Sequence, residues 1–355
     1  MKTGLSKLFL ASLSTVALLT ACGGGGGGST PTAPVVPTAL PTVPLVPVYQ
    51  AANLVAIAPT PTYAAGSEEL AAYNRFNDAR TSCGFGALTQ NSALDAAATN
   101  HSNWLVNNNL MSHYETPSTV GFTGIAPDDR STAAGYGPLR SYLFNEDISS
   151  RSYVEATGYG ERLARNLLNA PYHLNSMMRG YRDVGVAIAI GQAINNFPTG
   201  KTLEFNTGYK SISGPQTLAS DEVKTYPCEG ITGVNIGAKA ELPNPVGNRD
   251  MDTSPIGMSI YVGARDGNTI EVTSAVITNL TTGNPEVINN ILTRKNDPNG
   301  QGNTTYFDSN QAVVFTDKPA SPNTKYSVVI NGTNNGKSFT RTFTFTTGAG
   351  GLEKA

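Results

Sequence analysis

Val184-Gly185-Val186-Ala187-Ile188-Ala189-Ile190 is seven residues without a charge, rich in β-branched side chains and preceded by Asp183. A continuous apolar run of this length reads as a strand buried on both faces. Leu203-Glu204-Phe205-Asn206-Thr207-Gly208-Tyr209 reads as its partner across a turn near residues 195–200. Upstream the apolar period changes to that of helices. Glu68 to Thr81 carries Leu70, Tyr73, Phe76 and Asn77 at three- and four-residue spacing. Asn91-Ser92 is a capping pair for a second helix over 93–107, whose inner stripe includes Leu94, Ala97, His101, Trp104 and Leu105. Tyr114 to Gly137 reads as a loop, with Asp128-Asp129-Arg130 as a solvated turn, and Tyr153 to Leu168 as a helix that Pro171 ends. Helices first and an antiparallel sheet later predict an α+β layered domain over 64–215.

Beyond Cys228 the pattern becomes all-β. Short runs at Met258–Val262, Thr269–Ile277, Tyr306–Asp308, Ala312–Thr316, Lys325–Asn331 and Phe339–Thr346 alternate with turn residues. Phe339, Phe343 and Phe345 share one face of the last run, and Thr340, Thr342, Thr344 and Thr346 the other. Regular short strands predict an immunoglobulin-like sandwich over 219–348. With no His or Cys after Cys228, this region is expected to be a spacer or a second adhesive unit.

Charged residues are 14% of the chain and the formal net charge is −2, with no Lys/Arg block. The electrostatic term on which nucleic-acid binding depends is therefore missing. Lys2 and Lys7 precede an apolar run from Leu8 to Leu19, too short for a comfortable membrane span, so residues 1–21 read as an export signal. Leu19-Thr20-Ala21-Cys22 resembles the bacterial lipobox, which implies acylation at Cys22 and a bacterial envelope location, with the membrane as a partner through that lipid. Six glycines and a Pro/Val/Thr stretch make 22–63 a flexible tether. Cys83 and Cys228 then remain as an even pair in an oxidising compartment, and a disulfide between them is expected.

The chain has three histidines. His101, on an inner helical stripe beside Trp104, reads as core. His113 and His173 flank Asn145-Glu146-Asp147-Ile148, and a fold that doubles back would bring both histidines to Glu146 in one polar cleft.

Seven segments fall in the order of one family. They are Asn74-Arg75-Phe76-Asn77-Asp78-Ala79-Arg80, Gly86-Ala87-Leu88 with Ser92–Ala98, Met111-Ser112-His113, Asn145-Glu146-Asp147-Ile148, Leu168–His173, Asp183–Ala187 and Phe205-Asn206-Thr207-Gly208. In this order they resemble the bacterial branch of the CAP superfamily, also called SCP-like. The resemblance implies an α-β-α sandwich with a cleft of two histidines and two acids. His113 and His173 carry over as the histidines and Glu146 as the first acid. Asn145 stands where the family has Gly, and Asp147 where it has Asn. The second acid is open between Glu161 and Glu155.

A non-enzymatic binding module follows as the first expectation, holding a divalent cation such as Zn²⁺, a lipid, a glycan or a peptide of the envelope. The alternative is a metal-dependent, peptidase-like hydrolase with Glu146 as general base. It is weighed down by the lack of an HExxH or GxSxG motif.

Overall fold

The computed structural model of the chain describes residues 48–138, 142–152, 155–191, 200–300, 305–350 and 352. The expected signal, Cys22, the first part of the tether and the turn near 195 lie outside the described residues. Residues from Val48 onward form one compact unit.

Helix α1 (Glu68–Ser82) starts on Ser67, whose side chain accepts from Leu70 N, and α2 (Ser92–Asn108) starts on Asn91, which accepts from Ala93 N and Leu94 N. Between them lies the two-residue strand β1 (Thr89–Gln90). The expected loop after α2 contains a helix, α3 (Pro127–Ala133), with Pro at its first turn. Strand β2 (Tyr142–Ser152) precedes α4 (Tyr159–Leu167) and α5 (Pro171–Met177). Pro171, expected to end a helix, instead begins α5, where its missing N–H costs nothing. Of the helix expected over 153–168, Tyr159–Leu167 is helical as α4, while 155–158 is not helical.

β3 (Asp183–Gly191) and β4 (Gly200–Lys210) pair antiparallel as expected. The sheet order is β1-β3-β4-β2, with β1 parallel to β3, so among the described residues β2 has a strand neighbour on one side only. α2 lies on one face, and α1, α4 and α5 lie on the other. Gly185 lets α2 approach β3, since a Cβ there would stand 2.1 Å from the Leu94 carbonyl carbon.

The opening segment of the family pattern is a structural clasp. Asn77 donates to Leu88 O and accepts from Leu88 N. Arg80, fully buried, donates to the carbonyls of Phe85, Gly86, Met177 and Arg179 and so ties α1 to the end of α5.

The C-terminal region is β-rich. One sheet has the order β10-β11-β8-β5 and another β13-β12-β9. The strands are β5 (Val223–Tyr226), β8 (Ser259–Ala264), β9 (Ile270–Asn279), β10 (Ile288–Thr293), β11 (Gln311–Thr316), β12 (Lys325–Asn334) and β13 (Lys337–Thr346). A small ribbon joins β6 (Gly237–Ala238) to β7 (Ile256–Gly257). Ile260, Val262, Val314, Val328, Phe343 and Phe345 belong to one core fed by both sheets. Tyr306–Asp308, expected as a strand, is not one.

A disulfide and an apolar cluster are among the contacts that tie the region to the helical layer. Cys83 and Cys228 are disulfide-bonded, across 145 residues. A second apolar cluster also runs across it, joining Tyr172 and Met177 of α5 to Tyr261, Phe307 and Phe315. Residues 48–62, expected within a free tether, are instead laid along this unit. Asn53 pairs with Thr217, Val55 N donates to Gln216, and Thr62 N donates to Gln90. Backbone groups with fixed partners of this kind exclude a free coil.

Candidate functional site: a cavity with two anchored imidazoles

A cavity of about 500 Å³ opens where β2, the start of α3, α5 and the C-terminal region meet. β2 contributes four consecutive residues, Phe144, Asn145, Glu146 and Asp147. Successive strand side chains point to opposite faces. Glu146 accordingly contacts His113 and His101 on the α2 side, and Asp147 accepts from Ser176 of α5 on the other. A cavity lined by both must wrap around the edge of the strand. His113 and His173 both line it, as the sequence led us to expect.

Each histidine is held by a carboxylate through Nδ1. His113 Nδ1 lies 2.9 Å from Glu146 Oε1, and His173 Nδ1 lies 3.0 Å from Glu241 Oε1. Glu146 Oε2 also takes a 2.6 Å bond from the Arg130 guanidinium. Burial alone would raise the Glu146 pKa, but the His113 hydrogen bond and the Arg130 charge outweigh it and hold the group at about 2. An ionised carboxylate only accepts, so His113 Nδ1 carries the proton. The same Glu241 oxygen accepts from Tyr172 N at 2.7 Å and His173 N at 2.9 Å, so it too acts as an acceptor. Both imidazoles are thereby fixed as Nδ1–H donors, so in the neutral ring the lone pair is on Nε2. Neither Nε2 makes a hydrogen bond among the described residues.

Glu241 was not legible in the sequence. It lies in the C-terminal region, 68 residues from His173, in no motif, and only the fold brings it under the start of α5. Arg130 is the second surprise. Expected in a solvated turn, it is 1% exposed and bonds Glu146 and the His113 carbonyl. The candidate second acids lie elsewhere. Glu161 pairs with Arg75 and Arg165, and Glu155 pairs with Arg162; neither lines the cavity. Beside Glu146, the acids that do are Asp128 and Asp147; Asp147, 2% exposed, is pushed up to about 6 by burial despite His173 and Ser176. Burial also opposes the charged form of His173, but the Glu241 bond and charge win and raise its pKa.

Beneath Glu146 lies a second, closed group. His101, Glu146 and Glu204 bring ligand-type atoms within 4.8 Å of one another, all buried. Burial and the neighbouring Glu146 charge raise the Glu204 pKa well above the ordinary carboxylate range. His101 is core, as expected, and stacks on Trp104. Its Nδ1 is engaged by Glu115 at 3.0 Å and its Nε2 by the Ser112 carbonyl at 2.9 Å. A cation entering this group would have to displace that second bond. The two cavity histidines carry no such restraint.

Residues 73–201 match the family model of CAP, the cysteine-rich secretory protein family. The matched segment runs from α1 into β4 and holds all three histidines together with Glu146 and Asp147. The CAP match stops short of Glu241, so one half of the His173 anchor lies outside it. No curated protein matches the chain. Among the described residues, no helix is long and apolar enough to cross a membrane.

Proposed function

We propose that the protein is an exported binding module of the bacterial envelope, tethered through a lipid on Cys22. In this reading its cavity takes a divalent cation of the Zn²⁺ type on His113 and His173. The observation that carries it is the pair of Nδ1-anchored imidazoles facing one open cavity. A carboxylate on the distal nitrogen is the outer-shell arrangement that orients metal-ligating histidines and raises their basicity. Neutral imidazole suits borderline cations. Glu146 then acts as the orienting partner of His113 rather than as a ligand. Bound there, a cation would supply positive charge and open coordination positions for an oxygen- or nitrogen-bearing envelope ligand. The immunoglobulin-like reading of the β-rich region belongs to the same proposal, with that region closing one side of the cavity through Leu242, Pro243 and Tyr306.

Hydrolysis with Glu146 as general base is the weaker reading. A carboxylate held at about 2 by His113 and Arg130 is a poor proton acceptor near neutral pH.

Calorimetric titration of the purified protein with Zn²⁺ tests the proposal. Saturable one-to-one binding, lost in His113→Ala/His173→Ala, is expected. Equal heats from the two proteins would remove the site.

A further inference from the structure

A second opening, a groove of about 530 Å³, lies in the β-rich region between β9 and β10. Among the described residues β9 is the terminal strand of one sheet and β10 of the other, so the groove follows the seam between the two sheets. Its size is within the range of small-ligand sites. None of its described lining residues lies in the segment matched to CAP or in the histidine cavity.

The floor is the open side of an apolar core. Ile270 is 5% exposed and belongs to the core fed by both sheets. Val272 and Ile291 pack against that core yet stay partly exposed where they line the groove. Apolar surface left in this state gains free energy when another apolar group covers it.

The rim adds charge of one sign. Among the described lining residues Glu271, Arg294 and Lys295 are charged, and Glu271 and Lys295 neutralise each other as an ion pair. Arg294 is exposed and makes no hydrogen bond or ion pair among the described residues. A guanidinium presents a planar fork of donors that matches a carboxylate. An apolar floor beside one unspent guanidinium is the complement of an apolar chain that ends in an anion.

We propose that this groove binds an alkyl carboxylate, with the acyl chain on Ile270, Val272 and Ile291 and the carboxylate on Arg294. The site is separate from the histidine cavity and stands or falls independently of the Zn²⁺ reading.

Calorimetry in EDTA with decanoate, octanoate and 1-octanol tests it on the purified protein. Saturable one-to-one binding of decanoate is expected, about ten-fold tighter than octanoate because of its two further methylenes. Octanoate should bind about five-fold tighter than 1-octanol, and Arg294→Gln should close that gap while the alcohol stays within about two-fold of its wild-type affinity. Val272→Trp fills the groove and should weaken decanoate about ten-fold or more, with the unfolding midpoint of each variant as the control for folding. Hydrogen exchange should slow at residues 269–273 and 291–296 when decanoate is added. Absence of saturable decanoate binding overturns the proposal. An unchanged gap between octanoate and 1-octanol in Arg294→Gln overturns the seat of the carboxylate. Full binding by Val272→Trp, or exchange slowed only at other residues, overturns the site. With metal chelated throughout, none of these outcomes bears on the cation reading, and the Zn²⁺ titration contains no alkyl carboxylate.

Discussion

Asp147→Asn should stabilise the protein, and only above a definable pH. The Asp147 carboxyl is 2% exposed, accepts from Asn145 Nδ2 at 2.8 Å and from Ser176 Oγ at 3.1 Å, and has its pKa raised from 3.8 to about 6. The folded state therefore holds this proton more tightly than the unfolded chain. Its stabilising contribution is fully present below pH 3.8 and lost as pH rises through about 6. Above both values the charged form costs up to ~3 kcal/mol relative to the neutral acid. Asparagine keeps an acceptor for both donors and removes the charge, while giving up attraction to His173 and Arg179. A net gain of about 1–3 kcal/mol at pH 8 is expected, vanishing near pH 4. Guanidinium unfolding followed by the fluorescence of Trp104, the chain's single tryptophan, reads this directly. The quantity to plot is the difference between variant and wild type, which cancels the titrations not coupled to Asp147. A difference that does not change between pH 4 and 8, or a variant that loses stability as pH rises, would refute the burial argument.

Three further outcomes follow from the packing. Arg130→Met leaves the buried Glu146 charge uncompensated and should lower stability by about 3–5 kcal/mol, measured by chemical denaturation; a loss near zero would contradict the buried pair. Gly185→Ala drives a Cβ to 2.1 Å from the Leu94 carbonyl carbon and should cost about 1–3 kcal/mol or more, with a lower unfolding midpoint; an unchanged midpoint would mean that α2 shifts freely. Cys83→Ser/Cys228→Ser opens a closure of 145 residues and should cost at most ~4–5 kcal/mol, with a midpoint then insensitive to reductant.

What could be read from the sequence follows the range of each signal. The β3 run and its partner β4, the spacing of α1, the capped start of α2, and the alternation in β13 are local patterns, and local patterns were enough to find them. The disulfide followed from the pair of cysteines left once Cys22 is assigned to the expected lipid anchor. β2 escaped because Asn145-Glu146-Asp147 breaks apolar alternation. At the rim of a cavity the strand carries polar residues on both faces, so its signal as a strand is weakest where it lines that cavity. α3 escaped because Asp128-Asp129-Arg130 resembles surface sequence, and only the meeting of Arg130 with Glu146 explains its burial. Glu161 and Glu155 were reasonable second acids by position, yet both face arginines outside the cavity. Glu241 could not have been found, since nothing local marks it and its partner is 68 residues away.

The central claim is that two imidazoles are locked as Nδ1–H and offer Nε2 to one cavity. With three histidines in the chain, long-range ¹H–¹⁵N correlation of the ring nitrogens tests it most directly. In their neutral forms, His113 and His173 should both show the Nδ1–H tautomer. On addition of Zn²⁺ their Nε2 signals should move while both His101 signals stay. An Nε2–H tautomer at either residue, or a metal-induced shift at His101 instead, would contradict the account.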